Sequence, residues 1–268
     1  MSFRLAACAE MLYGELPLTE RVKRIHEQGF EVELWDTRGR DIAALAATGA
    51  RFSSMSGYFG GSLTDPASAN EVLASAEKLI PVALELGIER MVVHPAELGE
   101  GGRAVRPPVH RSTGEMWLTG ARTLERLAAL GEKHGVVFAL ENLNTVLDHP
   151  PGIPPLARAK DTLALVSAVN HPPNVRMMLD LYHAQIGEGN LIELIRAALP
   201  WIGEIQVADV PPGRCEPARG EINYHVIASA LGTAGYDGVV GLEAQAAGGA
   251  GLEAGDTALA AFRAAFES

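Results

Sequence analysis

Apolar residues along this chain fall into short unbroken runs, each followed by a longer stretch in which they recur at helical spacing. The runs predict strands over Phe3–Cys8, Glu31–Trp35, Arg51–Ser54, Arg90–His94, Val136–Leu140, Val175–Leu179, Ile202–Val207 and Val239–Leu242. The amphipathic stretches predict helices over Leu18–Gln28, Asp41–Thr48, Ala67–Leu86, Met116–His134, Lys160–Val169, Asn190–Leu199, Tyr224–Ala234 and Asp256–Phe266. Glycines after several of these stretches, among them Gly87 and Gly135, are the expected helix stops. Strict alternation of strand and helix predicts a parallel sheet, and eight such units predict a single (β/α)8 barrel domain, a TIM barrel, over residues 1–268.

Parallel barrel strands are buried on both faces, so polar side chains belong where a strand emerges at its C-terminal end. Glu141 closes the fifth run, Asp180 the sixth and Glu243 the eighth, while Gln206 sits near the end of the seventh. An open doubly wound sheet would scatter these residues along an edge, whereas a barrel gathers them on one rim. Three carboxylates and an amide converging there make an all-oxygen site for a hard divalent cation, Mg2+ or Mn2+, in preference to zinc held by thiolates. Such an ion would hold a carbonyl and a hydroxyl oxygen in cis. Two glutamates beside it would move a proton between neighbouring carbons, which is aldose–ketose isomerisation or ketose epimerisation.

Composition narrows the partners. The chain has 268 residues, 47% of them hydrophobic, and a formal net charge of −11. No long Lys/Arg run is present, which argues against a nucleic-acid or anionic-membrane surface and for a small-molecule substrate. Cys8 and Cys215 lie far apart with no CxxC pairing, so a disulfide framework is not expected and a reducing cytoplasm is. Cys8 ends the first run and is expected to be a buried thiol. No apolar stretch approaches the ~20 residues of a membrane span, and the first residues carry no long apolar leader core.

Further side chains fit a substrate shell. His183, three residues after Asp180, is placed to donate to a substrate oxygen, and His94 ends the fourth run on the same rim. Arg214, in Asp-Val-Pro-Pro-Gly-Arg, is placed to grip a carboxylate or vicinal hydroxyls. Glu221 and Tyr224 are candidates for the mouth. Residues 95–114, 143–155 and 209–220 read as long loops on the catalytic rim, the first holding Arg103, Arg106, His110 and Arg111, and 248–255 as a surface loop before the last helix.

The segments Leu-Glu-Asn-Leu-Asn144, Asp-Leu-Tyr-His-Ala-Gln-Ile-Gly-Glu-Gly-Asn190, Ile-Gln-Val-Ala-Asp-Val210 and Gly-Glu-Ile-Asn-Tyr224 resemble the hydroxypyruvate isomerase family of the xylose-isomerase-like barrels. Glutamine at 206 is similar to this branch, where the sugar epimerases usually carry histidine. The resemblance implies Glu141 and Glu243 as the acid/base pair, with Glu141, Asp180, Gln206 and Glu243 as metal ligands. It also implies interconversion of hydroxypyruvate and tartronate semialdehyde, or a similar 2-oxo acid reaction, by a homo-oligomer. It is weakest at Pro211-Pro212 and across 95–114, which bear on the substrate. A ketose 3-epimerase, a barrel endonuclease and a non-catalytic binding barrel are the alternatives. The charge disfavours the endonuclease, and an intact cage disfavours the binding barrel.

Overall fold

The structure, a computed structural model, describes residues 3–99, 105, 111–148, 156–169, 173–211 and 213–267. Eight strands form a closed barrel in chain order: β1 Arg4–Cys8, β2 Glu31–Leu34, β3 Phe52–Ser56, β4 Arg90–Val93, β5 Val137–Glu141, β6 Val175–Asp180, β7 Ile202–Val207 and β8 Val239–Leu242. All neighbours are parallel, and β1 closes on β8 with Leu5 opposite Val240 and Ala7 opposite Leu242. The helices are α1 Leu18–Glu27, α2 Ile42–Ala46, α3 Ala69–Glu85, α4 Thr113–His134, α5 Ala159–Ala168, α6 Leu181–Gly187, α7 Leu191–Ala198, α8 Tyr224–Thr233 and α9 Leu252–Phe266.

Side chains alternate across a strand, so every second residue faces the helices. Met91, Val93, Phe138, Leu140, Met177, Leu179, Ile205, Val207, Val240 and Leu242 do so, and all belong to the main apolar core between sheet and helices. Their neighbours face the barrel axis. Val92, Ala139 and Met178 form a small separate apolar cluster. Two residues further on, the same inward series reaches His94, Glu141 and Asp180; on β7 and β8 it reaches Gln206 and Glu243. A continuous apolar run with a polar end therefore needs one alternation, and the polar end lands inside.

Gly241, one inward step before Glu243, is required by close approach. A Cβ there would lie 2.2 Å from Oε1 of Glu33, so only glycine leaves room for that carboxyl inside the barrel. Helix ends follow local chemistry. Ser112 and Glu115 form a reciprocal capping box at the start of α4, and Gly135 ends it in the left-handed region (φ 74°).

Two elements differ from the sequence expectation. Helix α6 is additional: it starts directly after Asp180 with no loop between, so its first turn reads as the tail of the strand motif. Helix α9 begins at Leu252 inside the stretch read as a loop, because burial of Ala258, Leu259 and Phe262 outweighs the low helix propensity of its glycine. Among the described residues no helix is long and apolar enough to cross a membrane.

Candidate active site

Asp180 shows how local structure fixes a functional group. It ends β6 and is the N-cap of α6, its Oδ1 accepting from the His183 backbone N–H at 2.9 Å. Only Oδ2 is left to face the barrel mouth. Asn142, just past β5, exchanges two hydrogen bonds with the Asp180 backbone (2.9 and 3.0 Å), which ties the two strand ends together. Glu141 and Asp180 are thereby held side by side.

Glu141, Asp180 and His183 offer ligand atoms that all lie within 4.8 Å of one another, and all three are buried. His183 Nε2 is 3.7 Å from both Glu141 Oε1 and Asp180 Oδ2. The other oxygen of Glu141 is 3.1 Å from His94 Nε2. Burial lowers His94 to about 4 and raises Glu141 to about 7, so at neutral pH this contact is a hydrogen bond in which the imidazole carries no charge. Glu243 lies across the mouth with both oxygens engaged, Oε1 by Trp35 Nε1 at 2.7 Å and Oε2 by Arg214 Nη2 at 2.6 Å. Burial raises its pKa too, but the guanidinium of Arg214 works the other way.

Arg214 departs furthest from expectation. It does not stand free for a substrate: Nη2 lies 3.0 Å from Asp180 Oδ2 as well as against Glu243, with the guanidinium 5.0 Å over the Tyr182 ring. A cation thus sits where the acidic side chains converge. Gln206 sends Nε2 toward Glu33 Oε2 at 3.5 Å, and its Oε1 is buried with no partner. That orphaned oxygen, the Oδ2 of Asp180 now met by Arg214, and the carboxylates of Glu141 and Glu243 are all-oxygen donors, and they fit a divalent cation.

The loop carrying Arg214 is organised by Asp209. Its buried carboxylate accepts four backbone N–H groups, from Val210 (2.9 Å), Ile222 (3.1 Å), Arg219 (3.1 Å) and Gly220 (2.7 Å). Hydrogen bonds to a charged acceptor contribute roughly 1.5–3 kcal/mol each. Asp209→Ala is therefore expected to lower stability by about 3 kcal/mol or more in urea denaturation, with Asp209→Asn intermediate. A loss no greater than that of a surface substitution would remove this role.

These groups open into a cavity of about 960 Å3 whose wall includes Trp35, Tyr58, Phe59, Leu143 and Leu147. Glu97, Asp148 and Gly213 reach it from the three long loops after strands. Arg111 does not, pairing instead with Asp65 at 3.1 Å, while Arg103, Arg106 and His110 lie outside the described residues. Glu221 and Tyr224 are not among the cavity-lining residues: Glu221 is exposed and bonded by Gln185 at 3.1 Å, and the Tyr224 hydroxyl donates to Ala208 O at 2.6 Å. Cys8 and Cys215 are buried free thiols. Trp35, Glu33 and Asn144 are contributors that sequence reasoning missed. Glu33 had a signal, a carboxylate inside the apolar run of β2; Trp35 ends that run on the inward side.

The model of the xylose isomerase-like TIM barrel family matches residues 21–265. A Mus musculus protein named hydroxypyruvate isomerase is 29% identical over 255 residues, covering 90% of this chain and 88% of its own length. A 2-oxo-tetronate isomerase from Pectobacterium atrosepticum is 28% identical over 248 residues, covering 90% of this chain and 91% of its own. Among solved structures, one described as an AP endonuclease, family 2, from Brucella melitensis superposes with a TM-score of 0.83 at 27% identity, covering 98% of this chain and 99% of its own.

Proposed function

Because the chain belongs to the xylose isomerase-like TIM barrel family and is, like its named relatives, an isomerase, we propose that it exchanges the carbonyl and hydroxyl at C2 and C3 of a short 2-oxo-3-hydroxy acid. Hydroxypyruvate to tartronate semialdehyde is the smallest case, and the 2-oxo-tetronate isomerase among the relatives makes a four-carbon 2-oxo acid the next. The carrying observation is the pair of buried carboxyls, Glu141 and Glu243, held at the ends of the non-adjacent strands β5 and β8 with different hydrogen-bond environments.

Glu243 receives a donor on each oxygen, Trp35 and Arg214, which favours its anion and suits it to remove the proton from the carbon bearing the hydroxyl. Glu141, raised to about 7 by burial, passes between its protonated and ionised forms near neutral pH, so it can deliver a proton to the neighbouring carbon of the enediol and can serve as a ligand only when ionised. The hydroxyl proton passes between the two cis oxygens, and pocket water resets the carboxyl pair. Glu141, Asp180, Gln206 and Glu243 would hold a divalent cation, Mg2+ or Mn2+ by their all-oxygen chemistry. Bound there, it would supply electrostatic stabilisation of the enediolate charge. Arg214 and His183 orient the substrate oxygens.

An endonuclease reading lacks support, since the net charge is −11 and the described cavity lining contributes only Arg38 and Arg214 as fixed cations. The test is turnover of hydroxypyruvate and 2-oxo-tetronate by metal-stripped protein, with Mg2+, Mn2+ or Co2+ added back. Metal-dependent isomerisation of either acid is the expected result. Turnover of neutral ketoses alone would replace this reading with an epimerase, and full activity after stripping would remove the cation from it.

A further inference from the structure

Asn144 is fully buried and all of its hydrogen-bonding capacity is used. Its Oδ1 accepts from the backbone N–H groups of Leu147 (2.8 Å) and Asp148 (3.0 Å). Its Nδ2 sits 2.9 Å from Asp148 Oδ2 and 2.7 Å from His183 Nδ1. An amide has two lone pairs and two N–H groups, and backbone N–H groups can only donate, so the amide has a single orientation here. The Nδ2 group therefore donates to His183, and Nδ1 of that imidazole must be the acceptor.

We propose that Asn144 is a positioning residue that fixes His183 as its Nε2–H tautomer, so that His183 enters the cavity as a hydrogen-bond donor and not as a metal ligand. The consequence is chemical. An Nε2 carrying a proton has no lone pair for a cation, so the close trio of Glu141, Asp180 and His183 is not the ligand set despite its compactness. The Gln206 Oε1, buried with no hydrogen-bond partner, is the neutral donor that remains for a cation.

Among the described residues, one contact opposes this assignment. Arg214 Nη2 is 3.0 Å from His183 Nε2, and two donors cannot share a hydrogen bond. One of the two partners must yield. Asn144 is locked by four hydrogen bonds in a fully buried position, whereas Arg214 is a long side chain, partly exposed, beside Gly213. Arg214 is the one that moves off His183. The Nε2–H then serves as donor to a substrate oxygen that gains negative charge during enolisation. Only the identity of that acceptor rests on the proposed reaction.

The experiment is a long-range 1H–15N correlation spectrum of metal-free, histidine-labelled protein, with His183 assigned by its loss in His183→Gln. The expected spectrum has the proton on Nε2 and an unprotonated Nδ1. A carboxylate at 144 can only accept, so Asn144→Asp is expected to place a proton on Nδ1. Asn144→Leu, which removes the donor without adding charge, is expected to give a mixture. A wild-type imidazole protonated at Nδ1, or both variants keeping the wild-type pattern, would overturn the proposal. Calorimetric titration with Mn2+ tests the second half: His183→Gln leaves affinity largely unchanged, while Gln206→Leu weakens it by about tenfold or more. Equal weakening in both would make His183 a ligand. Neither readout uses turnover, so a different substrate would leave both outcomes standing.

Discussion

Glu243→Gln is expected to lower kcat by roughly 10²–10⁴-fold, the range for loss of a positioned general base, with a smaller change in KM. The amide keeps the shape, but its single oxygen can accept from only one of Trp35 and Arg214, and the proton acceptor is gone. Glu141→Gln should show a loss of similar size. The two differ in D2O. Glu141→Gln retains the base, so it should still exchange the carbon-bound proton of the substrate with solvent while forming little product. Glu243→Gln should lose exchange and product together. Near-normal turnover in both variants would sink the two-carboxylate mechanism. Exchange lost only in Glu141→Gln would reverse the assignment of base and acid.

Arg214→Met should separate structure from chemistry. In metal-free protein the guanidinium bridges Asp180 and Glu243, two buried carboxyls with Glu141 close by. Removing one partner from a buried ion pair typically costs about 3–5 kcal/mol, because the remaining charges stay desolvated. Metal-free Arg214→Met should therefore unfold at clearly lower denaturant than wild type, and Mn2+ should close much of that gap by supplying the missing positive charge. Equal metal-free stabilities would show that the guanidinium compensates nothing.

The pH dependence follows from the same charges. Burial holds Glu141 at about 7 in the folded chain against 4.5 for an ordinary glutamate, and Asp180 and Glu243 are raised as well. A carboxyl with a raised folded pKa binds its proton more tightly folded than unfolded. Its contribution is full below about 4.5 and is lost as pH rises through about 7. Metal-free protein should thus lose stability across that window, and Arg214→Met should steepen the loss.

The barrel and its acidic rim were legible because they rest on local rules. Alternation of apolar runs and amphipathic stretches predicted the strand order, and the observed strand boundaries fall within two residues of expectation. Glu141, Asp180 and Glu243 were legible because a polar side chain closing a buried parallel strand has few places to point. Helix α6 was not, since Asp180 ends a strand and caps a helix at once, and a boundary without a loop leaves no composition signal. Nor was the partner of Glu243: Trp35 stands 208 residues away and meets it only when β1, between β2 and β8, closes the barrel.

What the sequence by itself determined is which residues face the axis, because strand alternation is a property of the backbone and is settled within each run. Which atoms then meet was decided by the closed barrel alone. Closure set Arg214 against Asp180 and Glu243, aimed Gln206 at Glu33, and brought Asn144, whose other three contacts are local, against His183. Charge compensation and hydrogen-bond direction depend on distances of a few ångströms between groups far apart in the chain, and no periodicity along one strand encodes them.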